Sequence, residues 1–138
     1  MMDEQSTLEQ KQNILVVDDS EDMRDLLQRL LERAGYRVVL AEDGQASLTQ
    51  AKLHHPNLIL MDLSLPDIDG WEAVRHLRKM PEFQLTPIIA VTAHVSPQES
   101  VRAMAAGCTS HIGKPFDRKL LLQEVARLLT GNSSVHRI

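Results

Sequence analysis

The sequence predicts an α/β domain in which helices cover both faces of a five-stranded parallel sheet. Continuous apolar runs at residues 14–17, 58–61 and 87–91 are typical of strands buried on both faces. Segments with helical spacing of apolar residues alternate with the strands, and such alternation implies right-handed crossovers and a parallel sheet. The 138 residues suffice for one domain and are too few for two ordinary ones.

The first half of the chain is predicted to hold two strands and two helices before the central strand begins. The strand at residues 14–17 precedes Ser20, which can cap a helix that Gly35 ends. A short β-branched strand follows at residues 36–40. Asp43-Gly44, interpreted as a turn, opens a weaker helix to about Leu53. The apolar face of the first helix comprises Met23, Leu26, Leu27, Leu30, Leu31 and Ala34.

The second half is predicted to hold three strands and three helices. The strand at residues 58–62 leads through a turn-rich loop to a helix at about residues 71–79. After the strand that ends at Thr92, Ser96-Pro97-Gln98-Glu99 fits a capping box for the next helix. A strand at residues 109–112 and a helix that starts at Asp117 and ends before Gly131 complete the domain. The predicted domain therefore spans residues 13–130, between flexible tails at 1–12 and 131–138.

Composition excludes several classes of protein. A formal net charge of -4 argues against a nucleic-acid-binding surface, which is normally basic. No apolar run approaches the ~20 residues that span a bilayer, and the polar, acidic N-terminus predicts no secretory signal. Cys108 is alone, which favours a reducing compartment and a small buried side chain. We therefore expect a cytoplasmic protein without membrane or nucleic-acid contacts.

Polar side chains follow the apolar strands at the edge where ligands collect in open α/β sheets. Asp18 and Asp19 follow the first strand, Asp62 ends the third, Thr92 ends the fourth and Lys114 follows the fifth. Three clustered carboxylates repel one another unless a cation lies between them. Oxygen ligands suit a hard divalent ion, and the small number of protein ligands favours Mg²⁺ over Ca²⁺. A carboxylate, a metal ion and a lysine are the groups that phosphoryl transfer requires, so an aspartyl phosphate on Asp62 is the expected product.

Four motifs in this order resemble those of a response-regulator receiver domain of two-component signalling. They are Val17-Asp18-Asp19-Ser20, the run from Met61 to Gly70, Ala90-Val91-Thr92-Ala93 and Gly113-Lys114-Pro115-Phe116, and the resemblance covers about residues 13–130. It implies a doubly wound (βα)5, flavodoxin-like, three-layer sandwich with strand order 2-1-3-4-5. It also implies that Asp62 accepts a phosphoryl group from a phosphohistidine on a sensor histidine kinase or a histidine phosphotransfer protein.

The same resemblance implies roles for the other residues of the site. Asp19, Asp62 and the Ser64 backbone carbonyl would ligate Mg²⁺ directly, and Asp18 would act through water. Lys114 would pair with the phosphoryl group, Thr92 would move toward it, and the Lys114-Pro115 bond would be cis.

One position departs from the family pattern and two others suggest tuning of the reaction. His111 stands where the family usually has Tyr or Phe, so it is either a switch residue or a half-exposed strand residue. Ser64 and His94 each follow a phosphate-contacting residue by two positions. We expect them to flank the path of the hydrolytic water and to set the lifetime of the phosphoryl group.

The leading hypothesis is a stand-alone phosphorylation switch, because only seven residues follow Gly131. Its effector protein would bind the region from Ser96 to Thr130, the usual contact face of the family.

Three other functions are possible for such a sequence. A hydrolase of the haloacid-dehalogenase type needs a second Asp two residues after the nucleophile, and Ser64 at that position argues against this class. A flavin carrier needs a first loop rich in Ser, Thr and Gly, where Asp18-Asp19 would repel the flavin phosphate. The fourth hypothesis is a receiver that acts without phosphorylation as an interaction module; the acidic pair, the acceptor Asp and Lys114 argue against it, and His111 keeps it open.

Overall fold

The computed structural model describes residues 11–93 and 97–130, except the side chains at positions 99 and 100. Several sequence-based expectations fall outside this part of the chain. They concern His94, Ser96, the capping contact of Glu99, the tail at 131–138 and all but the last two residues of the tail at 1–12.

Five parallel strands form one sheet in the order β2-β1-β3-β4-β5, which confirms the predicted strand order. Because β1 lies between β2 and β3, the chain reverses its winding direction there and places helices on both faces. The strands are β1 (Asn13–Val17), β2 (Arg37–Ala41), β3 (Leu58–Asp62), β4 (Ile88–Thr92) and β5 (Ser110–Gly113).

Five α-helices connect or follow the strands, and a 3-10 helix at Pro81–Phe83 that was not predicted precedes β4. Asp43 and Asp69 do more than form turns: each caps a helix, accepting hydrogen bonds from the backbone N–H groups of Ala46 and Glu72. The helices are α1 (Glu21–Arg33), α2 (Gly44–His54), α3 (Gly70–Lys79), α4 (Pro97–Ala106) and α5 (Arg118–Thr130).

Alternate residues of the strands pack into two separate apolar cores, one on each face of the sheet. Leu15 and Val17 of β1 pack with side chains of α2, α3 and α4, whereas Ile14 and Val16 pack with side chains of α1 and α5. The protein therefore has the predicted three layers. Cys108 is buried in the first core as predicted, and burial raises the pKa of its thiol to about 11 against the opposing charge of Arg78.

Within the described ranges, no helix combines the length and the apolar character needed to cross a membrane.

Candidate functional site

The polar residues predicted to lie together do reach one edge of the sheet. In the parallel register, Val17 lies opposite Met61, so Asp18 and Asp62 both project from the carboxyl ends of β1 and β3. Thr92 lies opposite Gly113, and its carbonyl oxygen accepts a 2.8 Å hydrogen bond from the Lys114 backbone N–H. The strand register therefore positions residues from four different segments at the same edge.

The Lys114 ammonium group joins the two buried carboxylates at the centre of the site. Its Nζ lies 2.9 Å from Asp18 Oδ2 and 3.5 Å from Asp62 Oδ2. The second oxygen of each carboxylate accepts a backbone N–H, that of Ser20 at 2.9 Å for Asp18 and that of Ser64 at 3.0 Å for Asp62. Both carboxylates are thus held through both oxygens.

Asp18, Asp19 and Asp62 form a cluster that could hold a metal ion, with one carboxylate oxygen of each residue within 4.8 Å of the others. Asp18 and Asp62 are buried, whereas Asp19 is exposed. Burial raises the pKa of Asp62, and the charges of Asp18 and Asp19 add to the shift, although the Ser64 N–H and Lys114 oppose it. The donor set fits a hard divalent cation, because such an ion would relieve the repulsion and is bound by oxygen ligands.

Lys114 keeps its positive charge at neutral pH. Burial alone would lower its pKa, but the hydrogen bond to Asp18 and the negative charges of Asp62 and Asp18 outweigh burial and raise it. Its ammonium group faces Asp18 and Asp62, and the Asp19 carboxylate lies beside them, so one positive charge opposes a cluster of three acidic side chains.

The raised pKa of Asp62 predicts how the stability of the metal-free protein depends on pH. A carboxyl whose pKa is higher in the folded state holds its proton more tightly there, so stability falls as pH rises through the interval between the ordinary and the raised pKa. We expect Asp62→Asn to stabilise the protein in EDTA by roughly 1–2 kcal/mol at pH 7, because it removes a buried charge that Lys114 only partly offsets.

Urea unfolding in EDTA at pH 7 and at pH 4 would measure this difference for both proteins. The gain should shrink at pH 4, where Asp62 of the wild-type protein binds a proton more readily. A variant less stable than the wild type at pH 7 would contradict the proposed cause.

The remaining predicted residues take different positions around this cluster. Thr92 is buried at the end of β4, and the side chain of Ser64 is exposed beside Asp62. His111 is half-buried on β5, opposite Ala90 of β4 and two residues before the end of its strand. Strand β4 therefore separates it from β3. The Lys114-Pro115 bond is cis, in agreement with the resemblance.

Two polar contacts near the cluster were not predicted. Arg24 of α1 donates a 2.7 Å hydrogen bond to the Asp18 carbonyl oxygen. Asp67 of the β3–α3 loop accepts hydrogen bonds from the backbone N–H groups of Gly44 and Gln45 at the start of α2. In both contacts the partner of the side chain is a backbone group, so the residue types in the sequence do not indicate the contact.

Comparison with protein families matches residues 14–126 to the response regulator receiver domain. A polar-differentiation response regulator, DivK of Brucella ovis, is 32% identical over 85% of this chain and 95% of its own length. A probable transcriptional regulator, ycf27 of Cyanophora paradoxa, is 37% identical over 86% of this chain. The match spans only 48% of the length of ycf27, so this chain corresponds to about half of that relative.

Solved structures show the same architecture. The chemotaxis response regulator CheY4 of Vibrio cholerae superposes with a TM-score of 0.82 at 32% identity, over 86% of this chain and 98% of that chain. The receiver domain of the sensor histidine kinase PA1611 of Pseudomonas aeruginosa, whose active-site cleft coordinates a magnesium ion, superposes with a TM-score of 0.81 at 32% identity, over 87% and 98% of the two chains. This chain therefore belongs to the response-regulator receiver family of two-component signalling.

Proposed function

We propose that this protein accepts a phosphoryl group on Asp62 from a phosphohistidine of a sensor histidine kinase or a histidine phosphotransfer protein. The reaction requires Mg²⁺, and the phosphorylated protein signals through contacts with another protein. The observation that best supports the proposal is Lys114 Nζ lying 2.9 Å from Asp18 and 3.5 Å from Asp62 beside a cluster of three carboxylates. Family membership gives the same expectation.

The two oxygens of Asp62 differ in their surroundings, which indicates how the residue would react. Oδ1 accepts the Ser64 N–H, while Oδ2 faces Lys114. In the proposed transfer, one Asp62 oxygen forms a bond to phosphorus as the bond from phosphorus to the donor histidine nitrogen breaks, and the electron pair of that bond stays on the nitrogen. Lys114 and Thr92 would then hold oxygens of the transferred group.

Asp18, Asp19, Asp62 and the Ser64 carbonyl oxygen would hold Mg²⁺, Asp18 through a water molecule. When bound, the ion neutralises negative charge on the phosphoryl oxygens. The chain's own contribution is to present Lys114 to Asp62 and to bury the Asp62 carboxylate and Thr92 at the same edge of the sheet. The only chemistry proposed for the protein is its own phosphorylation and slow autodephosphorylation, and Ser64 and His94 would tune the latter.

Exposed apolar side chains support a contact surface in the region of residues 96–130. Val101 and Met104 of α4 and Leu120 of α5 are each more than half exposed. We propose that phosphorylation moves Thr92 and the elements that follow it, with His111 on β5 in the position to respond. A shift of the population from 1:99 to 99:1 requires that phosphorylation favour the active form by ~5.5 kcal/mol.

Incubation with acetyl phosphate and Mg²⁺, followed by the mass of the intact protein, tests the proposal. We expect one phosphoryl group on the wild-type protein and none on Asp62→Asn or in the presence of EDTA. An adduct that persists in the variant would place the chemistry at another residue. No adduct on the wild-type protein would favour a receiver that acts without phosphorylation.

A further inference from the structure

Asp67 occupies an unusual place, because its carboxylate joins two elements that are distant in sequence. Its Oδ1 accepts the Gly44 N–H and its Oδ2 accepts the Gln45 N–H, both at 2.8 Å. Helix α2 already has an N-cap in Asp43, which accepts the Ala46 N–H at 2.7 Å. Two carboxylates thus share the free N–H groups of the first turn of α2, one from its own cap and one from the loop after β3.

The loop that contains Asp67 packs closely against neighbouring backbone both near its tip and at its base. Near its tip, a Cβ atom on Gly44 would lie 2.4 Å from the Ile68 side chain and 2.6 Å from the Ile68 carbonyl oxygen, so the loop rests directly on the start of α2. At its base, a Cβ atom on Gly70 would lie 2.5 Å from the Asp62 carbonyl oxygen and from Leu63 Cα. The loop is therefore in close contact with the start of α2 at Ile68 and with the end of β3 at Gly70.

We infer that Asp67 is a positioning residue, which holds the β3–α3 loop against α2 so that Ser64 is kept at the edge of the carboxylate cluster. This inference rests on the proposed function, in which the Ser64 carbonyl oxygen binds Mg²⁺. The Ser64 N–H binds Asp62 Oδ1, which fixes the peptide group before Ser64. The Ser64 carbonyl oxygen belongs to the next peptide group, whose orientation depends on the path of the loop. Loosening the loop tip therefore loosens one proposed ligand and leaves the three carboxylates in place.

The ionisation of Asp67 agrees with this role. Desolvation opposes the charged form, but hydrogen bonds from the backbone N–H groups of Gln45, Gly44, Asp67 and Ile68 together outweigh it and lower the pKa of the carboxyl. The contact is therefore intact throughout the neutral pH range in which a signalling protein works.

Asp43 offers a matched control, since Asp43→Ala and Asp67→Ala each remove one carboxylate and its hydrogen bonds from the same helix terminus. We would titrate each protein with Mg²⁺ and follow the midpoint of thermal unfolding, which rises with metal binding whatever the activity. The apparent dissociation constant for Mg²⁺ should rise about five- to twentyfold in Asp67→Ala and less than about twofold in Asp43→Ala. At saturating Mg²⁺, Asp67→Ala should react with acetyl phosphate nearly as fast as the wild-type protein.

The outcomes separate this inference from the proposed function. A wild-type protein that gains no stability from Mg²⁺ contradicts the proposed function itself. If the wild-type protein binds Mg²⁺ and the two alanine variants show equal affinities, Asp67 contributes only as a helix cap and the inference is wrong. Should Asp67→Ala not fold, Asp67→Asn keeps the shape and one acceptor oxygen; a two- to fivefold weaker affinity supports the inference, and wild-type affinity overturns it.

Discussion

Replacing Lys114 with methionine is expected to raise the affinity of the site for Mg²⁺ and to lower its rate of phosphorylation. Mg²⁺ should bind about tenfold more tightly, because the variant removes a cation that lies 2.9 Å from Asp18 and 3.5 Å from Asp62 and competes for the same negative charge. Phosphorylation by acetyl phosphate should slow by about a hundredfold, because the variant removes the cation proposed to hold the transferred group. Methionine is unbranched and only one atom shorter than lysine, so it replaces most of the apolar stem and local packing changes little.

A gain in Mg²⁺ affinity together with a loss of phosphorylation rate distinguishes a lysine that takes part in the reaction from one that only balances charge. A lysine that only balanced the charge of Asp18 and Asp62 would be replaceable by Mg²⁺, and the rate at saturating metal would return to that of the wild-type protein. We expect the rate to stay low at saturating Mg²⁺. Thermal unfolding with and without Mg²⁺ gives the affinity, and the mass of the intact protein against time gives the rate.

Lys52→Met is a suitable control for the loss of one positive charge, because Lys52 is exposed on α2 and is the same residue type. Both its Mg²⁺ affinity and its phosphorylation rate should stay within about twofold of the wild-type values. Lys114→Met with weakened Mg²⁺ binding would show that the ammonium group organises the carboxylates instead of competing with the metal.

The meeting of Asp18, Asp62 and Lys114 could be predicted from the sequence because it follows from chain direction. Each lies at or just after the carboxyl end of a strand, and the ends of parallel strands share one edge of the sheet. For Asp18 and Asp62 the prediction needed only the position where an apolar run stops and charged residues begin. The roles assigned to these residues stay predictions until phosphorylation is measured.

Contacts from side chains to backbone groups could not be predicted in the same manner. Asp67 accepts hydrogen bonds from backbone N–H groups, and Arg24 donates one to a backbone carbonyl oxygen. Every residue has a carbonyl oxygen and every residue except proline has an N–H, so no pair of residue types marks these contacts in the sequence. Asp43-Gly44 was interpreted as a turn that opens a helix and Asp69-Gly70 as part of a turn-rich loop, because an Asp-Gly pair is typical of turns as well as of helix N-termini; the capping hydrogen bonds of the two Asp side chains were not predicted. The close approach of Ile68 that requires glycine at position 44 depends on tertiary packing.

Arg78 is the clearest case of a residue whose importance depends on tertiary structure. In sequence it is an ordinary basic residue near the end of an amphipathic helix. In the structure its half-buried guanidinium group binds two loops at once. It donates hydrogen bonds to the carbonyl oxygens of Phe83 and Thr86 at 2.7 Å and of Gly107 at 2.9 Å, with weaker ones to the Gln84 carbonyl oxygen and the Thr109 hydroxyl oxygen at 3.3 Å.

Arg78→Ala is expected to reduce the free energy of unfolding by about 3 kcal/mol, because hydrogen bonds to a charged group contribute more than neutral ones and their acceptors would lose this donor. Arg75→Ala is the control from the same helix. Arg75 forms an exposed ion pair with Glu72 at 3.1 Å, so its loss should cost about 0.5 kcal/mol. Urea unfolding followed by far-UV circular dichroism would measure both values. Equal losses in the two variants would show that the loop contacts of Arg78 add nothing to stability, whereas a selective loss in Arg78→Ala would identify this side chain as the link that fixes the connections before β4 and β5.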